Sequence, residues 1–285
     1  MKCKICGNLS NIVFKAKVLD QYEVSYYHCN SCDFIQTEDP YWLQEAYKDA
    51  VSVFDVWSVA RPLLNSKIVA KLIDRCFPTT KSKFLDYGGG SGIFVRQMRD
   101  IGYDFIRSDA YSKNMFARCF DLEDMPDQKY FILTTSFEVF EHLANPLQDV
   151  INMFKMTDNI FFSTSIKPKK VESPADWDYI APYHGQHISF YSIKALEKIA
   201  ALTNSFLLSD GKTYHTLSKT KLKINNKEYK AIIKNNQLGI LEKVLNKIGN
   251  KIQKYANRNT IANRISLTEL DSQYVIEKLD KGKSH

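Results

Sequence analysis

Two pairs of cysteines lie near the start of the chain. Cys3 and Cys6 form one C-x-x-C pair, Cys29 and Cys32 form the other, and 22 residues separate the two pairs. Four thiolates at this doubled spacing are typical of a closed tetrahedral site, which is the geometry of structural zinc. Since such a site leaves no coordination position for a substrate, we expect zinc to stabilise a module too small to bury its own core. A redox pair or free thiols is the alternative interpretation.

The stretch "FLDYGGGSGIF", residues 84–94, places a cluster of glycines directly after a strand-like run. The four glycines are Gly88, Gly89, Gly90 and Gly92. Two phosphate-binding motifs do not fit: no Lys-Ser or Lys-Thr follows, as a P-loop requires, and Ile93 or Val95 occupies the third glycine position of G-x-G-x-x-G. A tight strand-to-helix turn without a ligand is the alternative interpretation.

Asp86 lies two residues before the first of these glycines, at the end of the predicted strand. A carboxylate at this position would repel a pyrophosphate and attract a cation held over the flat glycine backbone. S-adenosylmethionine carries such a group, the ammonium of its methionine end. The stretch "LDYGGGSG" accordingly resembles the first motif of class I S-adenosylmethionine-dependent methyltransferases.

Later segments agree with this resemblance in order and spacing, and it covers about residues 84–219. "YDFIRSD" resembles the second strand of that fold, "CFDLEDMP" lies where such enzymes frame the adenine, and "FILTTSFEVFEHLANP" resembles the fourth strand and the following turn. The resemblance implies that Asp109 binds the ribose hydroxyls and that Phe120 and Asp121 lie at the adenine. The donor-binding residues that it implies are Asp86, Gly88, Gly90, Gly92, Asp109, Phe120, Asp121 and Glu138.

A glutamate and a histidine, Glu141 and His142, follow the fourth predicted strand. Ligands of doubly wound folds bind at this rim, and a sulfonium methyl group requires an activated nucleophile. His142 can therefore act as a general base that Glu141 orients. The alternative interpretation is a helix start, in which the glutamate favours the positive end of the dipole and the histidine only packs. His187 is the competing base.

The segment "WDYIAPYHGQHISFYS", residues 177–192, is dense in tryptophan, tyrosine and histidine without a helical or strand period. Loops that expose aromatic side chains usually cover a ligand, and sugars commonly lie on aromatic faces. We therefore expect Trp177, Tyr179 and His184 to contact the methyl acceptor. We call residues 177–192 the aromatic-histidine segment.

The cysteine pairs, this segment and the fold together resemble bacterial methyltransferases of polysaccharide and deoxysugar biosynthesis, some of which are zinc-bearing sugar C-methyltransferases. That resemblance implies catalysis by Glu141 and His142 and an approach of Tyr47 to the methyl donor. Those enzymes carry a further large α/β domain, whereas only residues 220–285 follow the core here. O-methylation of a glycan or of another small acceptor, including a non-sugar one, is therefore at least as strongly expected. A non-catalytic or RNA-binding protein on the same fold is the remaining alternative.

Alternating strand-like and helix-like runs must position these residues. They predict an α/β protein with a doubly wound, mostly parallel sheet that ends in an antiparallel hairpin turning at Asp210 and Gly211. The resemblance to class I methyltransferases implies that this Rossmann-like sheet is seven-stranded. The predicted regions are a zinc-binding module (1–38), a helical connector or lid (39–80), the methyltransferase domain (81–219) and a basic helical extension (220–285).

The formal net charge of +7 is concentrated in residues 211–264, where thirteen Lys or Arg accompany two Glu. Leucines and isoleucines at helical spacing predict an amphipathic helix there, and its lysines predict weak contact with a membrane surface or another anion. Few basic residues lie in the cysteine module, so nucleic acid is not an expected partner. No apolar run has the length of a transmembrane helix or a signal peptide, and a cytoplasmic protein is expected. The oligomeric state stays open.

Overall fold

The computed structural model describes residues 1–48, 57–77 and 82–237. The amphipathic helix predicted beyond residue 237 lies outside the described residues. The strands are β1 (Asn11–Val18), β2 (Tyr22–Cys29), β3 (Phe34–Thr37), β4 (Lys83–Tyr87), β5 (Asp104–Ser108), β6 (Leu133–Phe137), β7 (Asn159–Ser163), β8 (Ser189–Phe190), β9 (Phe206–Ser209) and β10 (Tyr214–Ser218). The α-helices are α1 (Leu43–Ala46), α2 (Ala60–Cys76), α3 (Ile93–Asp100), α4 (Pro146–Met153), α5 (Ile193–Leu202) and α6 (Asn226–Gln237).

The larger sheet has the strand order β5-β4-β6-β7-β10-β9. Its first four strands pair in parallel, and β10 pairs antiparallel with both β7 and β9. The inner strand β7 is buried along its whole length, because helices cover both faces of a doubly wound sheet. The predicted mostly parallel sheet with an antiparallel hairpin at its edge is confirmed.

The predicted count of seven strands is not reached among the described residues, where this sheet has six. A single parallel bridge joins Arg107 on β5 to Asp121 at the outer edge. Asp121 begins a short 3₁₀ turn, residues 122–124, instead of continuing as a strand. The chain therefore reaches the seventh position of the sheet but pairs there at one residue only.

The smaller sheet has the order β1-β2-β3-β8 and is antiparallel. Its first three strands come from the cysteine module, residues 1–38, whereas β8 lies in the aromatic-histidine segment. Ile35 pairs with Phe190 and Gln36 with Ser189 across the β3–β8 edge. The two parts of the chain that carry cysteines and histidines thus share one sheet.

Helices cover both faces of the larger sheet. Side chains of α2, α3 and α6, among them Ile68, Phe94 and Tyr229, form the core on one face. Side chains of α4 and α5 form the other core together with the cysteines. Ser192 caps the start of helix α5, where its hydroxyl accepts a hydrogen bond from the amide of Ala195. Among the described residues, no helix combines the length and the apolar character that a membrane span requires.

Candidate active site

Asp86 lies near the carboxyl end of β4, between β5 and β6. Its side chain is buried, and Oδ1 accepts a hydrogen bond of 2.6 Å from the hydroxyl of Thr135 on β6. Burial raises the pKa of Asp86 to about 7; the charge of Asp109 acts in the same direction, and the Thr135 hydrogen bond and Arg107 act against it. A positively charged ligand above this strand end would favour the ionised carboxylate.

The glycine loop after β4 has two kinds of glycine. A Cβ atom on Gly88 would lie 2.4 Å from Cγ2 of Val139, and one on Gly92 would lie 2.6 Å from Oδ1 of Asn114. Gly90, with a φ of +55°, has nothing within 4 Å of the same position. Gly88 and Gly92 therefore make room for other protein atoms, whereas Gly90 borders open space that a ligand can enter.

Asp109 follows β5 and joins the two loops that border this open space. Its Oδ2 accepts a hydrogen bond of 2.8 Å from the amide of Gly90. Its Oδ1 accepts bonds of 2.8 and 2.7 Å from the amides of Tyr111 and Ser112. Backbone amides of both loops thus hold the side chain of Asp109, the residue predicted to bind the ribose hydroxyls.

Arg107 connects the same loops from beneath, a role that our sequence reading missed. Its guanidinium is buried and donates to the carbonyl of Gly90 at 2.7 Å, to Oδ1 of Asp121 at 2.6 Å and to the carbonyl of Ser112. The arginine thereby brings Asp121 to the same edge as Asp109. An arginine directly after the apolar pair Phe105 and Ile106 in a short strand is the signal that would have identified it.

Phe120 lies apart from this polar group. Its ring is 3% exposed and belongs to the core, with the guanidinium carbon of Arg99 3.7 Å from the ring centroid. This ring therefore packs against Arg99, and its contact with an adenine stays a prediction.

Glu138 begins the loop after β6 in a left-handed conformation, with a φ of 53°. For a residue other than glycine this conformation costs about 1–2 kcal/mol. The Ser163 hydroxyl holds it, since it accepts from the Glu138 amide at 2.9 Å and donates to Oε1 at 2.6 Å. Arg61 on α2, which the sequence analysis did not single out, lies 3.5 Å from Oε2.

Glu141 lies in the next turn, a 3₁₀ helix over residues 140–142, and is completely buried. Its Oε1 accepts a hydrogen bond of 2.6 Å from the Tyr179 hydroxyl. Burial raises the pKa of Glu141 to about 8, and the charge of Glu138 adds to this, while Tyr179 and Thr164 act against it. Oε2 has no hydrogen-bond partner of normal geometry among the described residues.

His142 and His187 face each other, with ring centroids 5.0 Å apart. Nδ1 of His142 lies 3.0 Å from the carbonyl of Gln186, and Nδ1 of His187 lies 2.6 Å from the carbonyl of Tyr179. Because a carbonyl only accepts, each Nδ1 carries the proton and each Nε2 has a lone pair. Burial lowers the pKa of His142 to about 4 and that of His187 to about 3, so both rings are neutral at neutral pH.

Glu141, His142 and His187 form a compact group, which we call the His–Glu cluster. One ligand atom of each residue lies within 4.8 Å of the other two. The structure thus brings together the two candidate bases and the candidate carboxylate, although Gln186, the residue before His187, lies 44 positions after His142 in the chain.

Aromatic rings from the aromatic-histidine segment surround the cluster. Tyr179 lies between Trp177 and His187, with centroid distances of 5.0 and 4.6 Å, and His184 lies 4.6 Å from His187. Three of the predicted acceptor residues therefore line the region around the cluster.

Tyr47, just after α1, also lies near the cluster. Its ring stacks on Tyr111 at 4.8 Å and lies 6.2 Å from the ring of His142. Tyr111 comes two residues after Asp109 and was not among the predicted residues. The two stacked rings thus connect the loop of Asp109 with the His–Glu cluster.

The four cysteines also come together. Sγ of Cys3 lies 3.5 Å from that of Cys32, and Sγ of Cys6 lies 3.5 Å from that of Cys29. All four sulfurs lie within 4.8 Å of one another, and none forms a disulfide. This group packs under α4 and α5, and its atoms do not overlap with the His–Glu cluster.

Comparison with known proteins agrees with this geometry. Residues 63–205, half of the chain, match the family described as "Methyltransferase domain". The chain therefore belongs to this family, and with its doubly wound sheet it is a class I S-adenosylmethionine-dependent methyltransferase. Among curated protein sequences, none matches the chain significantly.

Solved structures with a similar fold include three methyltransferases. The Burkholderia thailandensis 1,6-didemethyltoxoflavin-N1-methyltransferase with bound S-adenosylhomocysteine is 11% identical, with a TM-score of 0.46 over 70% of this chain and 96% of that one. The plantazolicin methyltransferase BpumL is 13% identical, with a TM-score of 0.45 over 63% and 93%. CalO1, from calicheamicin biosynthesis, is 11% identical, with a TM-score of 0.41 over 64% and 60%. Similarity of this degree does not extend to individual side chains or to the acceptor.

The open space at Gly90 predicts a difference between two glycine variants. Gly90→Ala and Gly211→Ala both place alanine at a positive φ with free space for its Cβ, so each should lower the free energy of unfolding by about 1–2 kcal/mol. Only Gly90→Ala should also weaken binding of S-adenosylhomocysteine, by about tenfold, or about 1.4 kcal/mol. Calorimetric titration measures this, and equal affinity in both variants would contradict the placement of the donor at Gly90.

The buried carboxyl of Asp86 predicts a pH dependence of donor affinity. Without donor the carboxyl keeps its proton up to about pH 7. Because the ammonium of the donor favours the ionised form, the association constant should fall by close to tenfold per pH unit from about pH 7 down to about pH 5. Asp86→Asn should bind weakly at every pH. If the association constant, measured by calorimetry, changed with pH in the same way in the wild type and in this variant, Asp86 would not contact the ammonium.

Proposed function

We propose that this methyltransferase transfers the methyl group of S-adenosylmethionine to a sugar, a nucleotide-linked sugar or a glycan. The observation that carries the proposal is the His–Glu cluster, in which two neutral imidazoles and a buried carboxyl group meet beneath aromatic rings. A sugar ring offers an apolar face to aromatic side chains and hydroxyl groups to polar ones. This combination matches the Trp177, Tyr179 and His187 surroundings.

The donor would bind at the carboxyl ends of β4 and β5. Its methionine end would lie over the glycine loop with the ammonium near Asp86, and its ribose hydroxyls would meet Asp109. Asp121 would lie on the adenine side, held by Arg107. Gly90 supports this placement, because it is the glycine of the loop that borders open space.

The acceptor would bind between the stacked Tyr47 and Tyr111 rings and the His–Glu cluster. In the transfer, an acceptor oxygen forms a bond to the methyl carbon while the carbon–sulfur bond breaks, and the donor leaves as a neutral thioether. The acceptor proton passes to the lone pair of His142 or His187, whose ring orientation is set by its hydrogen bond to a carbonyl. The surrounding aromatic rings would hold the acceptor oxygen in line with the methyl carbon and the sulfur of the donor.

The four cysteines would hold a structural zinc ion. Sulfurs placed about 2.3 Å from one zinc ion at tetrahedral corners lie about 3.8 Å apart. The Sγ atoms of Cys3 and Cys32 lie 3.5 Å apart, as do those of Cys6 and Cys29, and these distances fit this arrangement. The ion would hold together β2, which ends at Cys29, and the turn that carries Cys32. Through β3 and β8, it would also support the aromatic-histidine segment.

An acceptor screen tests the proposed substrate class. The full chain is incubated with S-adenosylmethionine and, separately, with nucleotide sugars, oligosaccharides and phenols, and release of S-adenosylhomocysteine is measured. We expect turnover with a sugar-containing acceptor and a loss of kcat by about 100-fold or more in His142→Gln or His187→Gln, with donor affinity unchanged. Turnover with phenols and with none of the sugar-containing acceptors would contradict the proposed acceptor class and indicate an aromatic acceptor.

The zinc proposal predicts a change in metal content. Cys29→Ser should lose one equivalent of bound zinc, because a missing thiolate opens the four-sulfur site. Cys76→Ser, which removes a thiol outside the cluster, is the matched control and should retain the wild-type content. Metal analysis of the purified proteins measures both, and an unchanged zinc content in Cys29→Ser would contradict the site.

A further inference from the structure

We propose that the His–Glu cluster is a second metal site, which binds a Zn²⁺ ion through Glu141, His142 and His187. The ligand atoms of the three residues lie within 4.8 Å of one another, so a small closing movement brings all three to one ion. The inference concerns residues that are separate from the four cysteines. It deepens the proposed function, on which its catalytic part rests.

The first argument is the way in which the two imidazoles are held. Each donates its Nδ1 proton to a backbone carbonyl, that of Gln186 for His142 and that of Tyr179 for His187. Histidine ligands of metals almost always make such an outer hydrogen bond, which fixes the tautomer and turns Nε2 toward the ion. This arrangement leaves the lone pair of each ring on Nε2, and the two rings lie 5.0 Å apart between their centroids.

The second argument is the unsatisfied oxygen of Glu141. The residue is completely buried, Oε1 accepts from the Tyr179 hydroxyl, and Oε2 has no hydrogen-bond partner of normal geometry among the described residues. A buried carboxyl oxygen without such a partner is costly, and native structures seldom keep one without an ion or a ligand. The Tyr179 bond to the other oxygen is also what a metal-binding carboxylate usually has.

The ligand set defines the kind of ion. Two imidazoles and one carboxylate favour Zn²⁺ over Mg²⁺ or Ca²⁺, which prefer oxygen ligands alone. Three protein ligands leave a fourth tetrahedral position open, as in zinc sites that take part in reactions. The four-cysteine site is closed, so the two sites would serve different purposes.

The open position would accept the acceptor oxygen. A hydroxyl group bound to the ion loses its proton to water more readily, its oxygen then bonds to the methyl carbon, and the carbon–sulfur bond breaks to release the neutral thioether. With the ion present, His142 and His187 act as ligands, and the ion takes over the activation that a free imidazole would otherwise provide.

Metal content of the full chain provides the first test. After equilibration with Zn²⁺ and removal of the excess, the wild type should hold two equivalents, and His187→Gln and Glu141→Gln should hold one. His184→Gln is the matched control and should hold two, because its Nδ1 already accepts the Gln186 amide and it is not one of the three ligands. Binding of S-adenosylhomocysteine shows that each variant is folded. The same zinc content in the wild type and in His187→Gln would overturn the site.

Cobalt provides the second test, since Co²⁺ reports its ligands by absorption. The absorption spectrum of cobalt-loaded His187→Gln should show a thiolate-to-cobalt band from the cysteine site. The difference between the wild-type spectrum and this one, which reports the ion that the variant lacks, should show d–d bands without a thiolate band. A thiolate band in the lost equivalent would place the second ion elsewhere and overturn the proposal.

Activity separates this inference from the proposed function. Wild-type protein from which a chelator has removed the ion without thiolate ligands should still bind S-adenosylhomocysteine, lose methyl transfer and regain it with Zn²⁺. Full transfer by protein with one equivalent would overturn the metal role and leave the proposed function intact. Two equivalents without transfer to any sugar-containing acceptor would support the metal site and contradict the acceptor class.

Discussion

Two backbone hydrogen bonds at Ile188 connect the parts of this molecule on which its site depends. The Ile188 amide donates to the carbonyl of Glu141 at 2.8 Å, and its carbonyl accepts from the amide of Thr37 at 3.0 Å. Thr37 ends β3 of the cysteine module, and Glu141 follows β6 of the large sheet. The residue beside His187 is therefore fixed from both sheets at once. Neither sheet alone could position both histidines, because each contributes only one side of this connection.

The residues just before His187 are also held by a few hydrogen bonds. Trp42 donates its indole N–H to the carbonyl of Gly185 at 2.8 Å, and the Gln186 side chain donates to the carbonyl of Ala46 at 2.8 Å. A charge pair adds to this: the buried ammonium of Lys167 lies 2.8 Å from Oδ1 of the partly exposed Asp33, which also lies 2.8 Å from Nε2 of His28 beside Cys29. Because a buried ammonium is costly without a partner, this contact favours one position of residue 167 against the cysteine module. The loops after β4 and β5 are held together separately, by Arg107.

The sequence alone predicts that Asp86 and Asp109 lie at one edge of the sheet, and it predicts the arrangement around His142 only in part. Asp86 lies near the end of β4 and Asp109 follows β5; the apolar runs of both strands are easily recognised, and the ends of parallel strands meet at one edge, so this location follows from topology. The roles of Arg107 and Tyr111 were not predicted, because sequence periodicity indicates which residues are buried but not which side chains contact a neighbouring loop. The seventh strand was predicted from the resemblance, whereas the chain at Asp121 turns into a 3₁₀ helix that a capping box with Asp124 stabilises. The meeting of His142 and His187 depends on a strand of two residues, β8, which is too short to leave a period in the sequence.

The pairing of β8 with β3 of the cysteine module has a consequence for how the aromatic-histidine segment can change. Gly185 packs so closely on the cysteine module that a Cβ atom there would lie 2.8 Å from Cγ1 of Val18. Grafting the aromatic-histidine segment from another enzyme would therefore fail unless residues 18–37 were transferred with it, although more than a hundred residues separate the two stretches. Divergence toward new acceptors in proteins built this way should proceed by paired substitutions across the β3–β8 edge.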